Sequence, residues 1–305
     1  MKKKSDKICF NCQGENLEIF GPTQGGYYYQ CLGCGSETRR SKKNRSIQKD
    51  FEASQQTCYS DMDLLETPTF SSIQHLVARE RMKLVSKFIK NGRLLEIGPG
   101  GGEFMTIASN FGLDTFGVEH SPVAKKRLNE DLGLSVECGL FEDFNFEAEF
   151  DVIVNMHVIE HVIDPVLHLK TVKRALKKNG ILFLGTPNLD SWSRVIAGRK
   201  WQGYTPAHQH LFKIDSMKKL FTPDWNIINF KTIESWENWP WTFISMLRDV
   251  DGERPLDQAG QVSRRLSPAL LNAIGYFARP ISWPLRIIQN SMRGGFELIA
   301  IAKLK

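Results

Sequence analysis

The chain's 305 residues are 41% hydrophobic and 24% charged with a formal net charge of +6, a balance that excludes a disordered or fibrous protein and leaves room for one substantial core with appendages. Much of that net charge falls in two clusters, Lys2 to Lys4 and Arg39 to Lys49, so contact with an acidic surface is permitted but not required. No apolar run follows the first lysines, and the most apolar stretch, Ala269 to Ile288, is broken by Asn272, Arg279, Pro280, Pro284 and Arg286; this predicts a cytoplasmic protein that at most touches the inner face of a membrane.

In chain order, the first signal is Cys9-x2-Cys12 and Cys31-x2-Cys34, separated by eighteen residues. That is the spacing of a structural zinc site, with reduced thiols or disulfides as the alternatives. Residues 1–45 are therefore read as a four-cysteine zinc module whose folding depends on its metal. Its Tyr27-Tyr28-Tyr29 run suits stacking on bases or sugars, or covering a minimal core. Cys58 and Cys138 have no such partners and are read as free thiols. Residues 46–69 form a linker, continuing the polar, basic stretch that starts at Arg39.

Residues 70–305 read as one further domain. Apolar residues at helical spacing from Thr69 to Ile89 give an amphipathic helix. Arg93 to Gly102, RLLEIGPGGG, is a buried strand running into a glycine turn. The pattern Glu96-x-Gly98-x-Gly100-x-Gly102 departs from the dinucleotide fingerprint, because Glu103 stands where the third small residue should be. A carboxylate at the strand tip would repel a pyrophosphate and suit a ligand carrying an ammonium and a sulfonium. Phe104 to Phe111 is a helix and Asp114 to Glu119 a second strand. Glu119 lies 21 residues beyond Gly98, where an acid reaches ribose hydroxyls. Ser121-Pro122 caps a helix to about Asp131. Leu134 to Cys138, Phe150 to Asn155 and Ile181 to Thr186 supply three more strands, with a helix after Asp164-Pro165. Five alternations of strand and helix predict an α/β fold with a doubly wound, mostly parallel sheet. Residues 240–290 are read as a helical insertion that either covers a substrate site or forms a second small core around Trp239, Trp241 and Trp283.

The glycine turn with Glu96, FDVIVNMHVIEHV from Phe150, and GILFLGTPN from Gly180 resemble the class I S-adenosylmethionine-dependent methyltransferases, near the ubiquinone-biosynthesis O-methyltransferases. The resemblance implies a seven-stranded sheet closed by an antiparallel pair, Trp225 to Trp236 and Phe296 to Lys303. It implies that Glu96, Gly98, Gly100, Gly102, Glu119, Asn155 and Met156 meet the cofactor, with Glu142 in the Leu140 to Asp143 loop near adenine. His157, Glu160 and His161 would then lie beside the transferable methyl, and His208 and His210 in PAHQHLF are expected to return over it. These five are the candidate catalytic residues, as a base or as a cage for a second divalent metal; satisfied core histidines are the alternative. His157-x-x-Glu160-His161 also matches an inverted zinc-protease motif, but an apolar strand leads into it and Asp164-Pro165 breaks the chain soon after. The expected function is O-methylation of a saccharide or a carrier-linked small molecule. An RNA methyltransferase is the alternative, opposed by the modest charge, and a non-catalytic binding protein of the same fold is a third reading.

Overall fold

In the computed structural model, residues 8–40, 72–221, 223–235, 238–247 and 283–305 are described. The linker 46–69, Cys58, most of the Arg39 to Lys49 cluster and the middle of the 240–290 segment lie outside them, as does the Trp241 side chain.

The N-terminal strands are β1 (Leu17–Thr23), β2 (Gly26–Cys31) and β3 (Glu37–Arg39). Then come α1 (Ser72–Val85), β4 (Arg93–Ile97), α2 (Glu103–Asn110), β5 (Asp114–Glu119), α3 (Pro122–Glu130), β6 (Val136–Cys138), β7 (Phe150–Met156), α4 (Pro165–Ala175) and β8 (Leu176–Pro187). After α5 (Trp192–Ala197) the chain makes β9 (His210–Leu211), α6 (Ile214–Lys218), β10 (Trp225–Ile233), α7 (Asn238–Met246) and β11 (Glu297–Leu304). Residues 283–291 are also helical.

Seven strands form one sheet in the order β10-β11-β8-β7-β4-β5-β6. β5, β4, β7 and β8 run parallel, and β11 inserts antiparallel between β8 and β10. The central strands β4, β7, β8 and β11 are mostly apolar because both of their faces are covered, whereas the edge strand β10 is largely exposed. Leu94, Val152, Val154, Phe183, Ile299 and Ile301 meet α1 and α2 on one face, while the alternating Leu95, Ile153, Leu182, Leu184, Leu298 and Ala300 meet α4 and α6 on the other. Caps fix the helix starts at the residues that the sequence marks: Ser121 Oγ accepts from Ala124 N, and Asp164 Oδ1 from Val166 N and Leu167 N.

The second sheet has four strands in the order β1-β2-β3-β9. Its last strand comes from the far end of the chain, with Glu37 opposite Leu211 and Thr38 opposite His210. The sheet beside the four cysteines is thus completed by residues 210–211, and Tyr28, Leu189, Trp201, Tyr204 and Leu211 share a buried cluster beneath it.

Candidate active site

The glycine turn joins β4 to α2 at the carboxyl ends of the parallel strands. Gly98 and Gly102 have φ of 67° and 87°, and a Cβ there would stand 2.8 Å from Val158 Cγ2 and 2.5 Å from Leu128 Cδ2. Both positions require glycine on conformation and on space. Gly100 differs: no described atom lies within 4 Å of where its Cβ would be. The turn is therefore packed at its ends and open in the middle.

Two buried carboxylates flank that opening. Glu119 accepts hydrogen bonds from Gly100 N at 3.2 Å and Ser121 N at 3.0 Å; burial pushes its pKa up and these bonds pull it back only in part. Glu96 is 7% exposed, and its Oε2 has no hydrogen-bond partner among the described residues. Burial pushes its pKa up to about 8, against the opposing field of Arg81. A buried carboxylate oxygen without a partner is a costly arrangement. Beside an open glycine face, it fits a ligand that brings a cation, and Glu119 fits hydroxyl donors.

At the end of β7, Asn155 bonds His168, whose other ring nitrogen meets Glu142. All of His168 is buried. Burial opposes the Glu142 charge, but the His168 bond outweighs it and lowers the pKa. Glu142 is thereby tied to α4 rather than free to swing. His168 was not singled out by sequence; its signal is its place on the buried stripe of Pro165, His168, Leu169 and Val172. Met156 lies at the end of β7 beside Asn155.

His157 follows at φ 58°, a left-handed turn uncommon for a side-chain-bearing residue. Its Nδ1 is 3.3 Å from Glu160 Oε1 and its Nε2 is 3.1 Å from Glu297 Oε1. Arg81 Nη2 donates to the same Glu297 oxygen at 2.8 Å. Burial disfavours the His157 charge, yet the two carboxylates outweigh it and raise its pKa to about 9. The two carboxylates thus favour the imidazolium form of His157, which has no lone pair with which to act as a base. Glu297, at the start of an apolar strand, carried no sequence signal of this role.

His161 and His208 are arranged differently. His161 Nδ1 donates to Ala207 O at 3.1 Å, and His208 Nδ1 donates to Gly203 O at 2.7 Å; a carbonyl only accepts, so both protons sit on Nδ1. The rings stand 4.8 Å apart, edge to face. Burial lowers both pKa values, that of His208 to about 4. Both Nε2 lone pairs are consequently free, and one ligand atom each from Glu160, His161 and His208 lie within 4.8 Å of one another. Glu160 itself is buried and ionised: burial opposes the charge, His157 outweighs it, and the pKa falls to about 2. Thr186 Oγ1 donates to its Oε2 at 2.9 Å. Neutral imidazoles with backbone-fixed Nδ1–H, beside an ionised carboxylate, form a donor set for a divalent cation.

His210 is outside this cluster. Its Nε2 donates to Ile163 O at 3.2 Å, and its ring lies 3.9 Å from that of Phe10. The turn closed by His208 N and Thr205 O ends before β9 begins, which sends the two histidines of PAHQHLF to different neighbours. Beside His157, a cavity of about 950 Å3 opens between α1, β10 and residues 283–291. Leu76, Leu84 and Trp283 line it together with Lys87, Lys231 and Arg293.

The four cysteines meet at the other side of β9. Cys9 and Cys34 Sγ are 3.6 Å apart, Cys12 and Cys31 Sγ 3.5 Å apart, and all four lie within 4.8 Å. These separations are far beyond a disulfide and close to the roughly 3.8 Å of sulfurs around tetrahedral zinc. Ser36 Oγ at 3.0 Å and Asn11 Nδ2 at 3.7 Å from Cys34 Sγ supply the polar surroundings of a thiolate. Cys138 is a free, exposed thiol.

Comparison with known proteins adds three findings. The family described as "Methyltransferase domain" matches residues 70–223. The ubiquinone biosynthesis O-methyltransferase of Cereibacter sphaeroides is 33% identical over 141 residues, 43% of this chain and 55% of that protein; that of Pelagibacter ubique is 31% identical over 135 residues, 42% and 56%. The chain spans about half the length of the curated relatives it matches. Among solved structures, a chain of the complex between the Haloferax volcanii Trm112 methyltransferase activator and the putative methyltransferase aligns with a TM-score of 0.51 at 14% identity, over 83% of this chain and 97% of that one. At that identity the likeness is one of fold.

Proposed function

The chain belongs to the methyltransferase-domain family, and on that premise we propose that it is an S-adenosylmethionine-dependent methyltransferase that methylates oxygen on a saccharide or a carrier-linked small molecule. The observation that carries this reading is the pair of buried carboxylates around the open Gly100, one hydrogen-bonded to the turn and one with an oxygen, Oε2, left without a partner among the described residues. Glu96 would face the cofactor's ammonium, and Glu119 its ribose hydroxyls. Asn155, Met156 and the Glu142 loop would border the adenine and methionine ends, with His168 fixing Glu142 and Asn155.

When bound, the cofactor supplies a methyl group on a sulfonium, transferred by in-line displacement as the S–CH3 bond breaks and the O–CH3 bond forms. The acceptor oxygen must lose its proton. Charged His157 cannot take it, and His208, with a pKa of about 4, is a weak base. Glu160, His161 and His208 would instead hold a divalent cation, which supplies Lewis acidity at the acceptor hydroxyl. His157 and Thr186 hold the Glu160 carboxylate in place for that purpose. Cys9, Cys12, Cys31 and Cys34 would hold a structural zinc. Oxygen as the acceptor atom is supported by the relatives' names, and an amphiphilic acceptor by the wall beside His157, which mixes apolar side chains with charged ones of both signs.

The test is transfer of label from tritiated S-adenosylmethionine into fractionated extracts, with a Glu119→Ala control. Label in a glycolipid or sugar fraction supports the proposal; label in RNA, or none above the control, overturns it.

A further inference from the structure

Residues 203–211 carry His208, and the N-terminal module holds them along their length. Glu37 and Thr38 pair with Leu211 and His210, and Arg39 N donates to Gln209 O at 2.8 Å. Deeper in, the Tyr28 hydroxyl lies 2.7 Å from His208 O and 3.1 Å from Thr205 O, so its one proton is directed at the backbone of the histidine itself. Tyr28 is fully buried. At the adjacent hairpin, a Cβ on Gly25 would be 2.6 Å from Thr205 O, which shows how closely the two backbones approach. Beneath them, buried Glu37 accepts from Tyr204 Oη at 2.6 Å and Arg194 Nη2 at 3.1 Å. On its opposite side the same loop meets the site: Gln209 N and His210 N both donate to Glu160 O, and Ala207 O accepts from His161.

The loop is thus a single layer between the four-cysteine module and the Glu160–His161–His208 cluster. We propose that the module is the clamp of the active site: Tyr28 is a positioning residue that fixes His208 through its carbonyl, and metal held by the four cysteines is required to keep the clamp closed. Both parts of the clamp hang on one framework. Cys31 ends β2, the strand that bears Tyr28, and Cys34 lies three residues before β3, the strand that pairs with β9. Releasing the cysteines frees both strands, while the seven-stranded sheet keeps its own core. The expected effect on turnover rests on the role proposed above for His208; the effect on loop order does not.

The experiment uses the full zinc-loaded chain and reads hydrogen exchange of residues 203–211, S-adenosylmethionine affinity, zinc content and turnover. Tyr28→Phe leaves His208 O without the Tyr28 proton, while Thr205 O keeps its bond from His208 N, so exchange in 203–211 should rise tenfold or more, with zinc content and cofactor affinity within about twofold and with kcat, not the cofactor KM, reduced. Gly25→Ala should act in the same direction, since it pushes on Thr205 while leaving Tyr28 and the cysteines in place. Stripping zinc from the unaltered chain should expose the same residues while β4, β7 and β8 stay protected. Unchanged exchange in both variants, or a loop that stays protected without zinc, overturns the clamp. If the loop opens in Tyr28→Phe and turnover does not change, the clamp stands and the role given to His208 falls. Should Tyr28→Phe lose zinc or unfold, Gly25→Ala and zinc removal decide.

Discussion

Glu96 and Glu119 stand at the ends of two hydrogen-bonded parallel strands, yet only Glu119 is bonded to the glycine turn beside them. The Gly100 and Ser121 N–H groups orient the Glu119 carboxylate, so it needs little further ordering to meet a pair of hydroxyls. Glu119→Ala should therefore weaken S-adenosylmethionine binding tenfold or more, about 1.4 kcal/mol or above. Calorimetry giving the wild-type affinity would remove the ribose assignment, and tight NADH binding would remove the cofactor.

Glu96 carries a separate, pH-dependent prediction. Its ordinary pKa is 4.5 and burial moves it to about 8 in the free protein, so near pH 7 the folded chain holds a proton there that the unfolded chain does not. A carboxyl raised in this way costs stability progressively as pH rises from about 4.5 to about 8. An ammonium placed against it favours the charged form. Cofactor binding at pH 7 should then release a proton, read as a dependence of binding enthalpy on the ionisation enthalpy of the buffer. In Glu96→Gln the release should vanish, and the free protein should melt higher than wild type at pH 8. Equal proton release in both proteins would show that the ammonium lies elsewhere.

The five parallel strands are legible in the sequence as short apolar runs punctuated by glycine turns and capped helices, all local signals, whereas the closure of the sheet by the antiparallel pair β10 and β11 is implied by the family resemblance. What escapes is set by distant partners. β9 is two residues long, too short to show alternation, and its partner β3 lies about 170 residues earlier. Tyr28 reads as one of three candidate stacking rings, yet its hydroxyl is directed at a loop that sequence spacing does not connect to it. His208 and His210 are indistinguishable by residue type; which one faces Glu160 depends on where a turn closes. Glu297 begins an apolar strand as any edge carboxylate does, and becomes recognisable only once His157 and Arg81 are seen on the same oxygen.

The buried His168 makes the next prediction. It satisfies half-buried Glu142 on one side and buried Asn155 on the other, so His168→Leu would leave one buried and one half-buried polar group without their partner. The expected loss is about 2 kcal/mol, at one to a few kcal/mol for the fully buried group and less for the one that water reaches. Urea unfolding should show it as a lower midpoint at unchanged slope, with His168→Gln recovering part. A loss below about 0.5 kcal/mol, the range of ordinary surface changes, would mean that this relay does not support the site.

The last prediction separates a metal from a base at Glu160, His161 and His208. Deleting residues 1–45 to remove the cysteine site is not available as a control, since β3 pairs with β9 and the deletion would release the loop under test. The full chain must be used, with chelator strength stepped upward and zinc content measured at each step. Thiolate-bound zinc should survive weak chelators that strip a site of two imidazoles and one carboxylate. At the step where one zinc per chain remains, turnover should be lost and should return on adding magnesium or manganese. Manganese titrated into that protein should give one bound paramagnetic ion, absent in His208→Ala and His161→Ala. Full turnover at that step would exclude the metal and return the proton transfer to the histidines. Full turnover in both alanine variants, with the ion still bound, would make the two histidines structural.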